Sequence, residues 1–236
     1  MRLDFAPILE NWQIFAHGAL VTIFVAAMSL LLAFCLAVPI ALMALSKKRY
    51  IRIFAAVYLE CFRNLPFIIV LYIFFYGLPN AGVRLSETAI GIIALSFFSS
   101  SYLSEVVRGA ILSVPAGQLE AARAVGMSYF RGLKDIVAPQ TLRFLLPPFT
   151  STSISAIKET SVLSVVTVGE ITYQGLIVQG NTFAPFEVFI TTAVIYWAIT
   201  ATFAKIMKRF ERSTTVTQSV SRGRISLADQ YLKIDA

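Results

Sequence analysis

Charge is scarce in this chain. Only 14% of its 236 residues are Asp, Glu, Lys or Arg, against about 25% in an ordinary soluble domain. Histidine occurs once, at His17, and cysteine twice, at Cys35 and Cys61. One histidine leaves little scope for acid–base catalysis, and no catalytic residue is expected. The two cysteines fall in or beside apolar runs, with no CxxC spacing and no histidine nearby. Such cysteines pack as small hydrophobes, so no metal site is expected. The chain also lacks a GxxxxGK[ST] loop, an HExxH pair and a GxSxG elbow. Without the first of these it has no Walker-type cradle for nucleotide phosphates. Energy from nucleotide hydrolysis would have to come from another subunit.

What replaces charge is apolar surface. Hydrophobic residues make up 57% of the chain, and the mean hydropathy is +0.75. Several runs approach or exceed the roughly 20 residues that cross a bilayer as a helix. The expected fold is all-α, a polytopic membrane protein with five transmembrane helices. The expected spans are 18–45, 53–78, 88–107, 143–168 and 186–206. Pro39 falls inside the first, where membrane helices tolerate a kink. Residues 1–13 carry Asp4 and Glu10 and lack a basic start, unlike a cleaved signal peptide. They are expected to lie on the membrane surface through Phe5, Ile8 and Trp12, with His17 an interfacial polar residue. The segment 169–185 reads as a polar-leaning loop holding a short helix around 171–178, and 214–236 as a loosely ordered Ser/Thr/Arg-rich tail.

The formal net charge of +7 would suit a nucleic-acid binder, but the positions of the charges oppose that. Lys47, Lys48, Arg49 and Arg52 follow the first span, and Arg108, Arg123, Arg131, Lys134 and Arg143 fill the loop after the third. Lys205, Lys208, Arg209, Arg212, Arg222, Arg224 and Lys233 follow the fifth. With five spans, all of these share one face, and only Arg2 and Arg84 lie on the other. Basic residues mark the cytoplasmic side. The amino terminus is therefore expected outside and the tail inside, and no nucleic-acid partner is expected.

Glu60, Arg63, Lys158 and Glu159 fall well inside the expected spans. Such a group at the centre of a membrane helix costs several kcal/mol unless it is paired or faces water. Glu60 and Arg63 are three apart and can share a face. Counted from Arg52, they sit roughly 12 to 16 Å in. They form either a self-neutralising pair near the inner interface or part of a gated path. Lys158 and Glu159 are adjacent, so they point about 100° apart. At least one should meet a polar neighbour or a cavity. Thr150, Ser151, Thr152, Ser153, Ser155, Thr160, Ser161 and Ser164 surround them. Those hydroxyls suit a water-filled path bordered by Lys158, Glu159, Thr160 and Ser161, although Ser and Thr also pack well at dry helix interfaces. The same charges could serve an ion route in a gradient-driven carrier. Such carriers commonly show internal repeats, and none is evident here.

The most informative stretch is polar. Leu119 to Gly126 reads Leu-Glu-Ala-Ala-Arg-Ala-Val-Gly, and Met127 to Pro139 follows as Met-Ser-Tyr-Phe-Arg-Gly-Leu-Lys-Asp-Ile-Val-Ala-Pro. Glu, Ala and Arg are strong helix formers and Pro115 suits a first turn. Gly126 suits a helix stop, and Ser128 can cap the next helix. The expectation is a short helix, a sharp glycine corner and a second helix returning to the membrane. On spacing alone, a solvated helix–turn–helix loop would look the same.

Glu120-Ala121-Ala122, then Gly126, Ile136 and Pro139, resembles the EAA motif of ABC-importer permeases. Ala138 stands where that pattern usually has Leu. Arg63-Asn64-Leu65-Pro66 and Ser161-Val162-Leu163-Ser164-Val165 are similar to the polar amino-acid branch of these permeases, the histidine, arginine, glutamine and opine type. The likeness covers about residues 18–210.

The resemblance implies a cytoplasmic coupling helix that docks on an ABC ATPase through Glu120, Ala121, Ala122, Arg123 and Gly126, with Ile136 and Pro139 setting the returning helix. It implies a second permease, identical or similar, and two ATPase subunits that carry ATP and Mg, with no cofactor in this chain. A periplasmic solute-binding protein would deliver a polar amino acid or derivative. Alternating access would carry it across the bacterial inner membrane, along a pathway drawing on Glu60, Arg63, Lys158, Glu159, Thr160 and Ser161. The implied layout is a periplasmic tail (1–17), a transmembrane domain (18–212) with its EAA loop (108–142), and a cytoplasmic tail (213–236).

Overall fold

A computed structural model describes residues 4–215, and every element in that range is helical. In order they are α1 (Ala6–Glu10), α2 (Trp12–Ala44), α3 (Arg49–Arg63), α4 (Phe67–Asn80), α5 (Glu87–Leu112), α6 (Ala116–Ala124) and α7 (Tyr129–Gly132). A π-helical turn (Leu133–Val137) leads into α8 (Ala138–Glu159). A 3₁₀ segment (Thr160–Val166) precedes α9 (Ile171–Thr182) and α10 (Pro185–Thr215). The basic residues Arg2, Arg222, Arg224 and Lys233, and the end of the expected tail, lie outside the described residues.

Among the described residues, α2, α5 and α10 are each long and apolar enough to cross a membrane unbroken. Two bent pairs bring the count to five when each is taken as one span. The first apolar helix starts earlier than the expected span of 18–45. Trp12 and Gln13 are already in α2, which continues through Pro39. Ile8 does not lie on a surface: it packs with Phe15, Val178 and Val188.

The second expected span, 53–78, is not one helix. α3 and α4 meet at 103°. Pro66 has no N–H to continue the ladder, and its ring disfavours helical backbone at Leu65. Pro66 is accordingly extended, at φ −60° and ψ 141°. α3 carries Arg49, Arg52, Glu60 and Arg63 yet exposes Tyr50, Ile53, Phe54 and Val57. Ala55 is buried, and α3 is tied to α5 through Tyr58, whose hydroxyl donates to the Phe97 carbonyl at 3.0 Å and lies 2.6 Å from Ser100 Oγ. The rise counted from Arg52 runs along α3, so it does not measure depth along the apolar α4.

The fourth span breaks as well. At its start, Pro139 cannot donate to Asp135 and its ring crowds that carbonyl, so the Ala138 N–H reaches back five residues to Leu133. At its end, the hydroxyls of Thr160, Ser161 and Ser164 donate to the carbonyls of Ile157, Lys158 and Ser161, each three residues back. Such bonds compete with the α-helical ladder, and the chain tightens into 3₁₀ geometry until Thr167 turns left-handed at φ 62°.

The core runs along α2 and α5. Ala33 and Ala37 lie against Leu103, and Ser96 Oγ donates to the Ser29 carbonyl at 3.2 Å. Small residues let two membrane helices approach closely. Val25, Phe67, Leu71, Leu95, Leu163 and Val168 fill the centre. One end of the bundle gathers the starts of α2 and α10 and the end of α9 around Phe15, Val178 and Val188. The other gathers the ends of α2 and α5 and the start of α8 around Ala41, Val107, Ala110 and Leu145. α6 and α7 project from this second end.

Candidate functional site: a docking elbow and a polar cleft

α6 stops as the sequence predicts. The Gly126 N–H donates to Arg123 O at 3.0 Å and the Met127 N–H to Ala122 O at 3.1 Å. This is a Schellman closure, which needs a left-handed residue after the helix. Gly126 supplies it at φ +87°. Ser128 then caps α7, its Oγ accepting from the Arg131 N–H at 3.4 Å. Two short helices thus leave the bundle and return as an elbow.

Glu120, Ala121, Arg123 and Gly126 are exposed on this elbow. Ala122 is not: it is 6% exposed and packs inward with Leu119 against Gly132. A Cβ at Gly132 would sit 2.9 Å from Leu119 Cδ1, so any side chain there would make the Leu119 methyl move. Ala122 therefore belongs to the packing beneath the exposed face of α6 and not to that face itself. Ile136 is half-buried in the π turn, and Pro139 is exposed at the start of α8. Sequence reasoning missed Val125, Tyr129 and Phe130, which are 79%, 51% and 80% exposed. Two adjacent aromatics in a polar loop were the available signal, because exposed apolar groups clustered together commonly mark contact surfaces.

The second constellation lies between α5 and α8. Ser99, Tyr102, Thr152, Ser155 and Glu159, with Phe98 and Ala156, line an open cleft of about 210 Å³. Arg63 adjoins it: the guanidinium lies 5.6 Å from the Tyr102 ring centroid, and the Tyr102 hydroxyl donates to Arg63 O at 3.4 Å. Glu60 and Arg63 do not form the expected pair. The Glu60 carboxylate takes the Asn64 amide instead, while Arg63 stacks on Tyr102. Glu105, inside the expected third span, and Arg108, the first residue of the expected loop, form a two-bond ion pair at 3.0 and 2.8 Å. Their i, i+3 spacing was the legible signal.

Of the stretch 158–161, only Glu159 lines the cleft. Lys158 is exposed on a different face of α8, and Ser161 turns back to the Lys158 carbonyl. Thr160 is fully buried, 3.2 Å from the Tyr196 hydroxyl. Its partners form a network that sequence reasoning did not find. Glu170 is completely buried, caps α9 by accepting from the Thr172 and Tyr173 N–H groups, and accepts from Tyr196 at 2.6 Å. An acidic residue at the foot of a helix, directly after Gly169, was the sole local hint.

A polytopic helical bundle with an elbow at one end and a polar cleft in its wall has clear counterparts. The sequence profile of the family described as "binding-protein-dependent transport system inner membrane component" matches residues 34–216. This chain belongs to that family. It is a permease subunit of an ABC importer, a multi-pass membrane protein whose ATP hydrolysis is done by a separate subunit. The permease is 30% identical over 215 residues to the probable glutamine ABC transporter permease protein GlnM of Bacillus subtilis (strain 168), covering 89% of this chain and all of the relative. It is 35% identical over 205 residues to GlnP of the same organism, also named as a probable glutamine permease, covering 86% and 94%. The nopaline transport system permease protein NocM of Agrobacterium fabrum (strain C58 / ATCC 33970) is 34% identical, with 87% and 89% covered. Among solved structures, an amino acid ABC transporter crystallised with histidines matches with TM-score 0.82 and 31% identity, over 90% of the permease and 100% of that chain. The MetNI methionine ABC transporter, in an inward-facing conformation, matches with TM-score 0.72 at 19% identity, over 86% and 97%. That second likeness concerns the fold alone.

Proposed function

We propose that this permease imports a polar amino acid or amino-acid derivative across the bacterial inner membrane by alternating access, paired with an identical or similar permease on two ABC ATPase subunits. ATP and Mg are held by those ATPase subunits, and a periplasmic solute-binding protein delivers the solute. The amino terminus is periplasmic and the carboxyl terminus cytoplasmic, with 1–17 as the outer tail, 18–212 as the transmembrane domain and 213–236 as the inner tail. Residues 108–142 form the loop that meets the ATPase. The observation that carries this reading is the elbow. A glycine-stopped helix presents Glu120, Ala121 and Arg123 outward, at the bundle end where α2, α5 and α8 meet. Lys47, Lys48, Arg49, Arg52, Arg143 and Lys208 follow or flank the same helix ends, as a cytoplasmic face requires. Small exposed residues let a partner's backbone approach, and Glu120 sets the register. Gly126, Ile136 and Pro139 hold the elbow's shape beneath that contact.

The pathway runs past the Arg63–Tyr102–Glu159 cleft, where a zwitterionic solute meets both charge signs. Glu60, Lys158, Thr160 and Ser161 flank it. The relatives named for glutamine and nopaline support an amino-acid class of substrate. The deciding experiment reconstitutes the importer with its ATPase and binding protein and compares wild type with Glu120→Lys. The reading predicts normal insertion, with solute uptake and binding-protein-stimulated ATPase both reduced. Unchanged coupling in that variant, or labelling that places Ala121 outside the cell, would overturn it.

A further inference from the structure

α2 and α10 both begin at the same end of the bundle but leave a gap between them as they run on. Ile23 and Leu30 of α2, Ile157 of α8, and Ala198, Phe203 and Ile206 of α10 line an open groove of about 400 Å³ there. Nearly all of its lining is aliphatic or aromatic, and Ile23 and Ile206 stay about half exposed. This face is distinct from the cleft between α5 and α8 that holds Glu159.

The groove ends at a cluster of positive charge. Lys205, Lys208, Arg209 and Arg212 surround a second open space of about 250 Å³ on the same helix, and all four are exposed. Thr202 and Ile206 of the groove and Arg209 of the cluster follow one another at i, i+4 and i+7, which places them in one row along α10. Glu211, the acidic residue among them, takes the Thr150 hydroxyl at 2.9 Å. From Pro185 to Phe203, α10 rises roughly 28 Å, close to the hydrocarbon thickness of a bilayer. Lys205 then reaches the depth of the phosphates, and the apolar groove lies beside the acyl chains.

We propose that the α2–α10 groove and its basic end together bind one anionic phospholipid from the leaflet at that end. An acyl chain lies along Ile23, Leu30, Phe203 and Ile206, and the phosphate sits among Lys205, Lys208, Arg209 and Arg212. A zwitterionic lipid would fill the groove equally well but would leave the four cations facing a headgroup with no net charge. The charge complementarity therefore selects an anionic headgroup.

The test is native mass spectrometry of the assembled importer, delipidated in mild detergent and then offered phosphatidylglycerol and phosphatidylcholine in equal amounts. Preferential retention of phosphatidylglycerol is expected. Lys208→Ala with Arg209→Ala should weaken it on the order of 20-fold, because each basic residue near a lipid surface contributes about fivefold. Lys208→Arg with Arg209→Lys, which keeps both charges, should retain it and so exclude misfolding as the cause. Ala198→Trp, filling the groove, should lower retention of both lipids. Equal retention of the two lipids, unaffected by loss of the charges, would overturn the proposal. Inorganic phosphate binding alone, with the same sensitivity to Lys208 and Arg209, would assign the basic end to a free anion and also overturn it. So would a disulfide between two copies formed through Ala198→Cys, because the groove would then be covered by a second permease.

Discussion

Tyr196 on α10 donates its hydroxyl to Glu170 Oε2 across 2.6 Å, at the foot of α9. The same carboxylate accepts the Thr172 and Tyr173 amides at 2.9 and 2.8 Å, and Thr160 lies 3.2 Å beyond the tyrosine hydroxyl. One buried acidic residue thereby ties α10, α9 and the 3₁₀ end of the fourth span together. Removing the carboxylate takes the acceptor from two amides and the tyrosine hydroxyl at once, whereas removing the tyrosine hydroxyl leaves Glu170 its two amides and Thr160 its bond to the Ile157 carbonyl. A buried polar group left without its partner costs about 1–3 kcal/mol. Glu170→Ala should therefore lower the unfolding midpoint in detergent clearly more than Tyr196→Phe, with Glu170→Gln between them. A Tyr196→Phe protein less stable than Glu170→Ala would contradict this arrangement.

The elbow depends on two glycines for different reasons. At Gly126 the obstacle is conformational: φ is +87° in open space, where a β-branched residue is strained by roughly 1–2 kcal/mol. At Gly132 the obstacle is burial: a Cβ would meet the movable Leu119 Cδ1 at 2.9 Å, but the position is buried, and enclosing a polar amide without a partner costs about 1–3 kcal/mol. Gly126→Asn should be tolerated, since Asn adopts left-handed backbone readily, while Gly132→Asn should not. Binding-protein-stimulated ATPase activity in proteoliposomes is the readout for both.

Neighbours in the motif should differ in access. Ala121 is exposed and Ala122 is 6% exposed. In a background with Cys35 and Cys61 replaced by Ser, since both are exposed, Ala121→Cys should react with a maleimide far faster than Ala122→Cys. Binding of the ATPase should protect the first and leave the second unaltered. Equal rates at the two positions would mean that the α6 face is turned differently.

Beside the proposed pathway, the stacked pair offers a coupling measurement. A cation–π contact contributes about 0.5–2 kcal/mol, and lysine lacks the planar group that stacks on a ring. Arg63→Lys and Tyr102→Leu should each slow uptake several-fold, and the double variant should be little worse than either alone. Additive losses would show that the two side chains act separately.

Within 158–161, the substitutions should not be equivalent. Glu159→Gln alters a residue in the cleft wall and is expected to change the KM for uptake. Lys158→Gln alters an exposed residue on another face and is expected to change it less. The opposite ranking, measured with the same binding protein at saturation, would move the pathway to the Lys158 side of α8.

What the sequence determined by itself is local or summed over the chain. Apolar run length specified the α2, α5 and α10 crossings, because a helix satisfies its own backbone and needs only enough apolar residues. The glycine stop and serine cap at 126 and 128 were legible for the same reason, each depending on residues within one turn. Tertiary structure decided whatever depends on a distant neighbour. It turned Ala122 inward onto Gly132, gave Arg63 to Tyr102 instead of Glu60, and joined Glu170 to Tyr196. Proline signals were visible at Pro66 and Pro139, yet the size of the bend, 103° between α3 and α4, goes with a distant contact, the Tyr58 hydroxyl on Phe97 and Ser100 of α5. A helix's period says which residues share a face, and only the packing of the other helices says what that face meets.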